Sequence, residues 1–132
     1  MMTIKYPTTE KIIEFNILSL TIIKVKRADD AKILNRGKIE KVINECKEKE
    51  GDYYDKAVVL IKGLIQQHAF ASGNRRTAFI TTKDFLINNK AHFRVKDDPD
   101  YVSVMQGIRE DYYSDDELKE WMKNGKIRKF RR

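Results

Sequence analysis

Between positions 68 and 76 the chain reads HAFASGNRR: an imidazole, a hydroxyl, a glycine, a carboxamide and two guanidinium groups in close succession. They interrupt a run, IKGLIQQ before and TAFITTKDFL after, that otherwise has the texture of apolar helix. Helix, short polar loop, helix is an arrangement that puts unpaired N–H groups and the positive end of a macrodipole at the start of the second helix, a ready anion site. Gly73 lets the backbone approach a phosphate closely. Arg75 and Arg76 add fixed positive charge where it opposes the dipole, a poor choice for stability alone; a bound anion removes the conflict. His68 falls just upstream, at the expected end of the first helix, and imidazole is the side chain suited to take a proton from a hydroxyl near neutral pH. Asn74 can donate its amide to a phosphate or offer its oxygen to a metal. Phe70, the apolar member, is expected to turn into the core and hold His68 and the loop in place. A base beside a phosphate cradle is the equipment of phosphoryl or nucleotidyl transfer. Each piece alone has a structural explanation: a histidine at a helix C-terminus, a Gly-Asn turn, a solvated basic face. Their convergence on one reaction favours function.

The elements that must position these residues are helical. Thr8 or Thr9 caps a first helix through EKIIEFNILSLTII, although its β-branched density leaves a strand reading open. VKRADDAKILNRG reads as a connector. Ile39, Val42, Ile43 and Cys46 then recur at helical spacing, in a helix that ends before Gly51. From Asp55, Val58, Ile61, Leu64 and Ile65 line one side of a central, mostly buried helix. The helix after the loop places Thr77, Ala78, Thr81, Phe85 and Leu86 inward and stops at the pair Asn88 and Asn89. AHFRV, at 91–95, alternates and predicts a short extended, β-like segment. Pro99 opens a further helix with Val102, Met105 and Ile108 inward. Ser114 and Glu117 form a capping box before Leu118, Trp121 and Met122. The expected fold class is all-α, one compact helical domain over 1–132.

With 132 residues, 41% hydrophobic and 36% charged, the chain has the composition of a soluble globular protein with a strongly charged surface. No stretch approaches a membrane span and no signal-peptide h-region opens the chain, so the expected location is the cytoplasm and no membrane partner is expected. Cys46, the single cysteine, reads as a small buried hydrophobe. The net charge of +7 favours an anionic partner. Much of the excess sits in the tail KNGKIRKFRR at 123–132, which reads more readily as a solvated end than as a nucleic-acid contact. His92 is assigned no role, and Tyr112 and Tyr113 read as packing residues.

HAFASGNRRTA resembles the signature of the Fic/Doc family: His-x-Phe-x-Asp/Asn-Gly/Ala-Asn, followed by Gly-Arg in typical Fic proteins or Lys-Arg-Thr-Ala in death-on-curing (Doc) proteins. His68, Phe70, Gly73, Asn74, Arg76, Thr77 and Ala78 match, and Arg75 replaces the Doc-type lysine with another cation. Weaker likeness in ILNRGKIEKVI and FLINNK extends the resemblance to about residues 33–90. It implies an all-helical Fic fold whose motif loop binds ATP phosphates and Mg²⁺. His68 would be the catalytic base, Arg76 a catalytic contact to the nucleotide phosphates, and Gly73, Asn74 and Arg75 the remaining anion hole. Fic members transfer AMP to Ser, Thr or Tyr of a protein; Doc-type toxins phosphorylate a translation factor and are silenced by an antitoxin protein.

Two positions depart from the family pattern. Ser72 stands where an acidic residue or Asn usually helps hold Mg²⁺, and a neutral hydroxyl is a poorer ligand for that hard cation. Phe79 occupies the place of the second arginine of the full Fic signature. The resulting expectation is a Doc-like toxin that transfers phosphate from ATP to a protein hydroxyl, as an enzyme of a toxin–antitoxin pair. The alternatives are a Fic-type AMP transferase, and a catalytically weakened Fic-fold module that binds nucleotide or protein.

Overall fold

The computed structural model describes residues 3–23, 32–96 and 100–131. Among the described residues six helices follow in order: α1 (Thr9–Ile23), α2 (Arg36–Glu48), α3 (Tyr53–Gln66), α4 (Asn74–Asn88), α5 (Asp100–Arg109) and α6 (Asp115–Asn124). Among the described residues no strand forms, only an isolated antiparallel bridge between Ile33 and Phe70. No helix among them is long and apolar enough to cross a membrane.

Local chemistry accounts for where most helices begin. Thr8 Oγ1 accepts the Lys11 N–H at 3.1 Å, so Thr8 is the residue that caps α1. Asn35 caps α2 by accepting from Lys38 N–H. Reciprocal capping boxes open α3 (Asp52 with Asp55) and α6 (Ser114 with Glu117). Helix α3 therefore starts two residues before the apolar pattern that announces it.

The core forms around α3, which packs most extensively on α4, then on α2, α6 and α5; α1 lies against α4 and α2. Ile39, Val42, Ile43 and Cys46 bury one face of α2. That face comes so close to α3 that a Cβ at Gly63 would stand 2.7 Å from Val42 Cγ1, leaving room there for glycine only. Helix α4 is covered on two sides, which is why Thr77, Ala78, Phe79, Thr81, Thr82, Phe85 and Leu86 are all buried. The α2 terminus carries an unusual cap: the Lys56 ammonium is buried and donates to the carbonyls of Cys46, Lys47 and Lys49 at 3.2, 3.1 and 2.7 Å. A cation satisfying the last carbonyls also meets the negative end of the α2 dipole. Beside it burial pushes the Cys46 thiol up to about 11, as suits an unreactive packing residue.

Several sequence expectations need correction. Val102 is exposed and Val104 takes the inward place with Met105 and Ile108, a shift of register along α5. Residues 91–96 are non-helical but pair with no strand; the Arg94 N–H instead donates to the Met122 carbonyl at the end of α6. Pro99, Arg132 and part of the connector at 25–37 lie outside the described residues. The C-terminal tail is not merely solvated. Ile127 and Phe130 pack against the core, Phe130 edge-on to Tyr112, and Arg128 pairs with Glu117, donates to the Tyr112 carbonyl and lies 4.0 Å from the Tyr112 ring centroid.

The Arg128 guanidinium, helped by the Ser114 N–H, holds the Glu117 carboxyl down to about 2 from an ordinary 4.5. A carboxyl depressed on folding stabilises fully above its unfolded value, and that contribution is lost as pH falls through the folded one. Urea unfolding between pH 5 and 2 should therefore show wild type losing stability more steeply than Glu117→Gln; parallel profiles would mean the latch contributes nothing.

Candidate functional site

The loop that joins α3 to α4 is built by satisfying its own backbone. Helix α3 closes with the Gln67 N–H on the Gly63 carbonyl at 2.9 Å, and the chain leaves it through His68 at φ 53°, the left-handed turn that usually falls to glycine. His68 thus sits just beyond the helix rather than in its last turn, and its side chain is exposed. A β-carbon in this region costs about 1 kcal/mol, strain of the kind kept at functional positions.

Phe70 follows, buried to 2% exposure, with its backbone held on two sides. On one, residues 32–35 run antiparallel to 69–71: the Ala69 carbonyl accepts from Leu34 and Asn35, and the Ala71 N–H donates to the Lys32 carbonyl. On the other, the buried Asn74 side chain acts as a surrogate peptide. Its Oδ1 accepts the Phe70 N–H at 3.1 Å and its Nδ2 donates to the Phe70 carbonyl at 2.9 Å. These bonds fix the orientation of the amide, so the second Nδ2 hydrogen points at His68 Nδ1, 3.3 Å away. In this arrangement Nδ1 accepts and a neutral imidazole carries its proton on Nε2. The Asn74 side chain is thereby committed within the loop, and what that residue offers an anion is its backbone N–H.

Gly73 turns the chain into α4 at φ 77° and contributes no side-chain cap. The first intrahelical bond runs from the Thr77 N–H to the Gly73 carbonyl at 2.9 Å, which leaves the N–H groups of Asn74 and Arg75 ahead of the helical ladder. No acidic residue stands in the first turn. Arg75 is exposed; Arg76 is half-buried, its Nη1 donating to the Tyr101 hydroxyl of α5 at 2.8 Å and its guanidinium 5.9 Å from the Phe79 and Tyr101 ring centroids. The structure thus brings His68, Gly73, Asn74, Arg75 and Arg76 to one helix start. Phe79 is buried in the core, against Tyr101 at 4.3 Å and Phe93 at 5.4 Å.

Two supporting residues escaped the sequence reading. Asn16 of α1, fully buried, donates through Nδ2 to the Ser72 carbonyl at 2.9 Å and to Thr77 Oγ1 at 3.1 Å. With Leu20 it also packs over Gly73, where a Cβ would meet Asn16 Nδ2 at 3.2 Å and Leu20 Cδ2 at 3.3 Å. A carboxamide in the middle of the apolar run IIEFNILSL was the available signal. Tyr101 gave none, since its role depends on where α5 packs.

The residues fit phosphates better than they fit a protein-held divalent cation. Unpaired helix-start N–H groups and the flanking arginines suit an anion. Ser72 Oγ, by contrast, is buried and makes no hydrogen bond, and the loop supplies no carboxylate. Among the described residues no group of His, Cys, Asp and Glu side chains is placed to hold a metal.

Truncating the Asn74 amide should leave the Phe70 N–H and carbonyl buried without partners, so Asn74→Ala is expected to cost about 2 kcal/mol in urea unfolding. His68→Gly should raise stability by about 1 kcal/mol where His68→Ala does not, because only glycine relieves the left-handed φ.

The match to known families falls on this junction. Residues 27–86 match the model of the Fic/DOC family, against an expected span of about 33–90. No curated protein matches the chain. The match takes in α2, α3, the loop with His68, and α4 up to Leu86. This segment, which holds every residue gathered at the α4 start, is what the chain shares with the Fic/DOC family model.

Proposed function

We propose that the protein is a Doc-like phosphotransferase that moves the terminal phosphate of ATP to a hydroxyl of another protein, such as a translation factor. The observation that carries this reading is an exposed imidazole next to an uncapped, acid-free helix start flanked by two arginines. In the reaction the attacking hydroxyl oxygen bonds to the terminal phosphorus, the bond from that phosphorus to the bridging oxygen breaks, and ADP leaves. His68 takes the hydroxyl proton. Because Asn74 holds Nδ1 as an acceptor, base action at Nε2 requires the proton to exchange to Nδ1, at the cost of one hydrogen bond of 3.3 Å. The turn at Gly73, the N–H groups of Asn74 and Arg75 and the Arg76 guanidinium gather the phosphate oxygens, a positioning and electrostatic contribution that dominates phosphoryl transfer.

Phe79 favours phosphate over AMP transfer: the place where AMP-transferring relatives present an arginine is a buried aromatic here, so no charge reaches the nucleotide from it. The cofactor reading is ATP. Mg²⁺ would reach the site on the nucleotide rather than on a protein ligand, and no step above runs through it. Exposed Ile33 and Leu34 beside the loop, with Ile17 and Leu18 on α1, support a protein substrate and a protein antitoxin as partners. Such chemistry belongs in the cytoplasm.

A second reading has its own observation. The buried, unbonded hydroxyl of Ser72 favours a weakened module that binds nucleotide without efficient turnover.

Intact-mass measurement of lysate proteins after incubation with ATP and Mg²⁺ tests these readings. A mass gain of one phosphate, lowered at least about 100-fold in His68→Ala, supports the proposal; a gain of AMP moves the protein to the other branch. No gain from wild type, with a gain from Ser72→Asp, supports the weakened module.

A further inference from the structure

The strongest charged feature outside the loop lies at the end of α6, where the tail turns back along that helix. Gly125 ends α6 in the left-handed region, and a Cβ there would stand 2.7 Å from the Arg94 carbonyl, so the segment 91–96 and the tail are in direct contact. Lys123 lies 5.6 Å from the Tyr54 ring centroid, and the Tyr54 hydroxyl donates to the His92 carbonyl at 2.6 Å, which brings α3 to the same place. From Gly125 the tail runs back until Arg128 reaches Glu117 and Tyr112.

This anchoring sorts the side chains. Ile127 and Phe130 turn toward the core, and Arg128 is taken up by Glu117 and the Tyr112 ring. Lys126, Lys129 and Arg131 are left exposed, alongside exposed Arg94 and Lys123. Among the described residues none of these cations forms an ion pair. The result is a set of exposed cations on a stretch of chain anchored at Ile127, Arg128 and Phe130. A free end would lose conformational entropy on binding that this strap has already given up.

We propose that this face, Arg94 with Lys123, Lys126, Lys129 and Arg131, binds the phosphate backbone of a nucleic-acid strand. Protein interfaces have apolar centres and are depleted in lysine. Here the apolar members are tucked inward and lysine predominates, while the exposed large apolar residues belong to other elements: Ile17 and Leu18 to α1, Ile33 and Leu34 to the segment beside the motif loop, Ile87 to α4 and Val102 to α5. A surface that offers charge without an apolar anchor suits a polyanion, recognised through its phosphates and without base readout.

The test is fluorescence anisotropy of a labelled RNA single strand of about 20 nucleotides, titrated with full-length protein across a salt series. Wild type should bind with a steep inverse dependence on salt. The combined variant Lys126→Gln, Lys129→Gln, Arg131→Gln should bind at least tenfold more weakly, with a salt slope smaller by about 2, at about 0.7 for each phosphate that the protein no longer neutralises. Its unfolding midpoint should match wild type, since Ile127, Arg128 and Phe130 remain. His68→Ala should bind like wild type, so the result is independent of the phosphotransfer reading. Absence of wild-type binding at low salt, an unchanged slope in the variant, or capture by phosphatidylserine vesicles with none by RNA would each overturn the proposal.

Discussion

One side-chain amide carries the loop. Burying Phe70 obliges its N–H and carbonyl to find partners away from water, and the bridge to residues 32–35 engages the flanking Ala69 and Ala71 instead. Asn74 does so from the first position of α4, with the two bonds a peptide group would make. Because both bonds are made by the residue that starts the helix, the helix axis, the buried phenyl ring and the left-handed exit at His68 are fixed relative to one another. The third bond, to His68 Nδ1, extends the same constraint to the imidazole.

The arrangement carries local costs, and the packing around it offsets them. His68 occupies a backbone region that penalises a Cβ, and two arginines stand at the positive end of a helix. Helix α1 answers from one side, with Asn16 on the Ser72 carbonyl and Thr77; α5 answers from the other, with Tyr101 on Arg76. Behind them α3 is held by ion pairs to α6, Lys119 with Asp52 and Asp55, and Lys62 with Asp115.

The tail shows the same division of labour in a different place. Arg128, which sequence alone counts among the excess positive charges, is a structural latch between Glu117 and Tyr112. Its neighbours keep their charge for solvent. Net charge is a sum over residues, and only their partners reveal which charges remain available.

Helices α2, α3, α4 and α6 were legible because their signals are local: apolar residues three and four apart, and caps made by side chains a turn away. The motif residues were legible for a related reason, since His68, Gly73 and the arginines lie close together in the chain and the family pattern is contiguous. What the sequence determined by itself was thus the all-helical class, the Ser114 and Glu117 box, the buried places of Cys46 and Phe70, and the motif on which the family match falls. The tertiary structure decided what depends on distant partners. It made α1 a helix where β-branched residues left a strand open, because α4 and α2 cover its apolar face. It exposed Val102 in favour of Val104, tied down the tail, and buried Phe79 between α5 and the 91–96 segment. It also turned the Asn74 amide inward and set Asn16 and Tyr101 around the loop. Each of those outcomes follows from packing between elements far apart in the chain, and spacing along a sequence carries no record of which surfaces will meet.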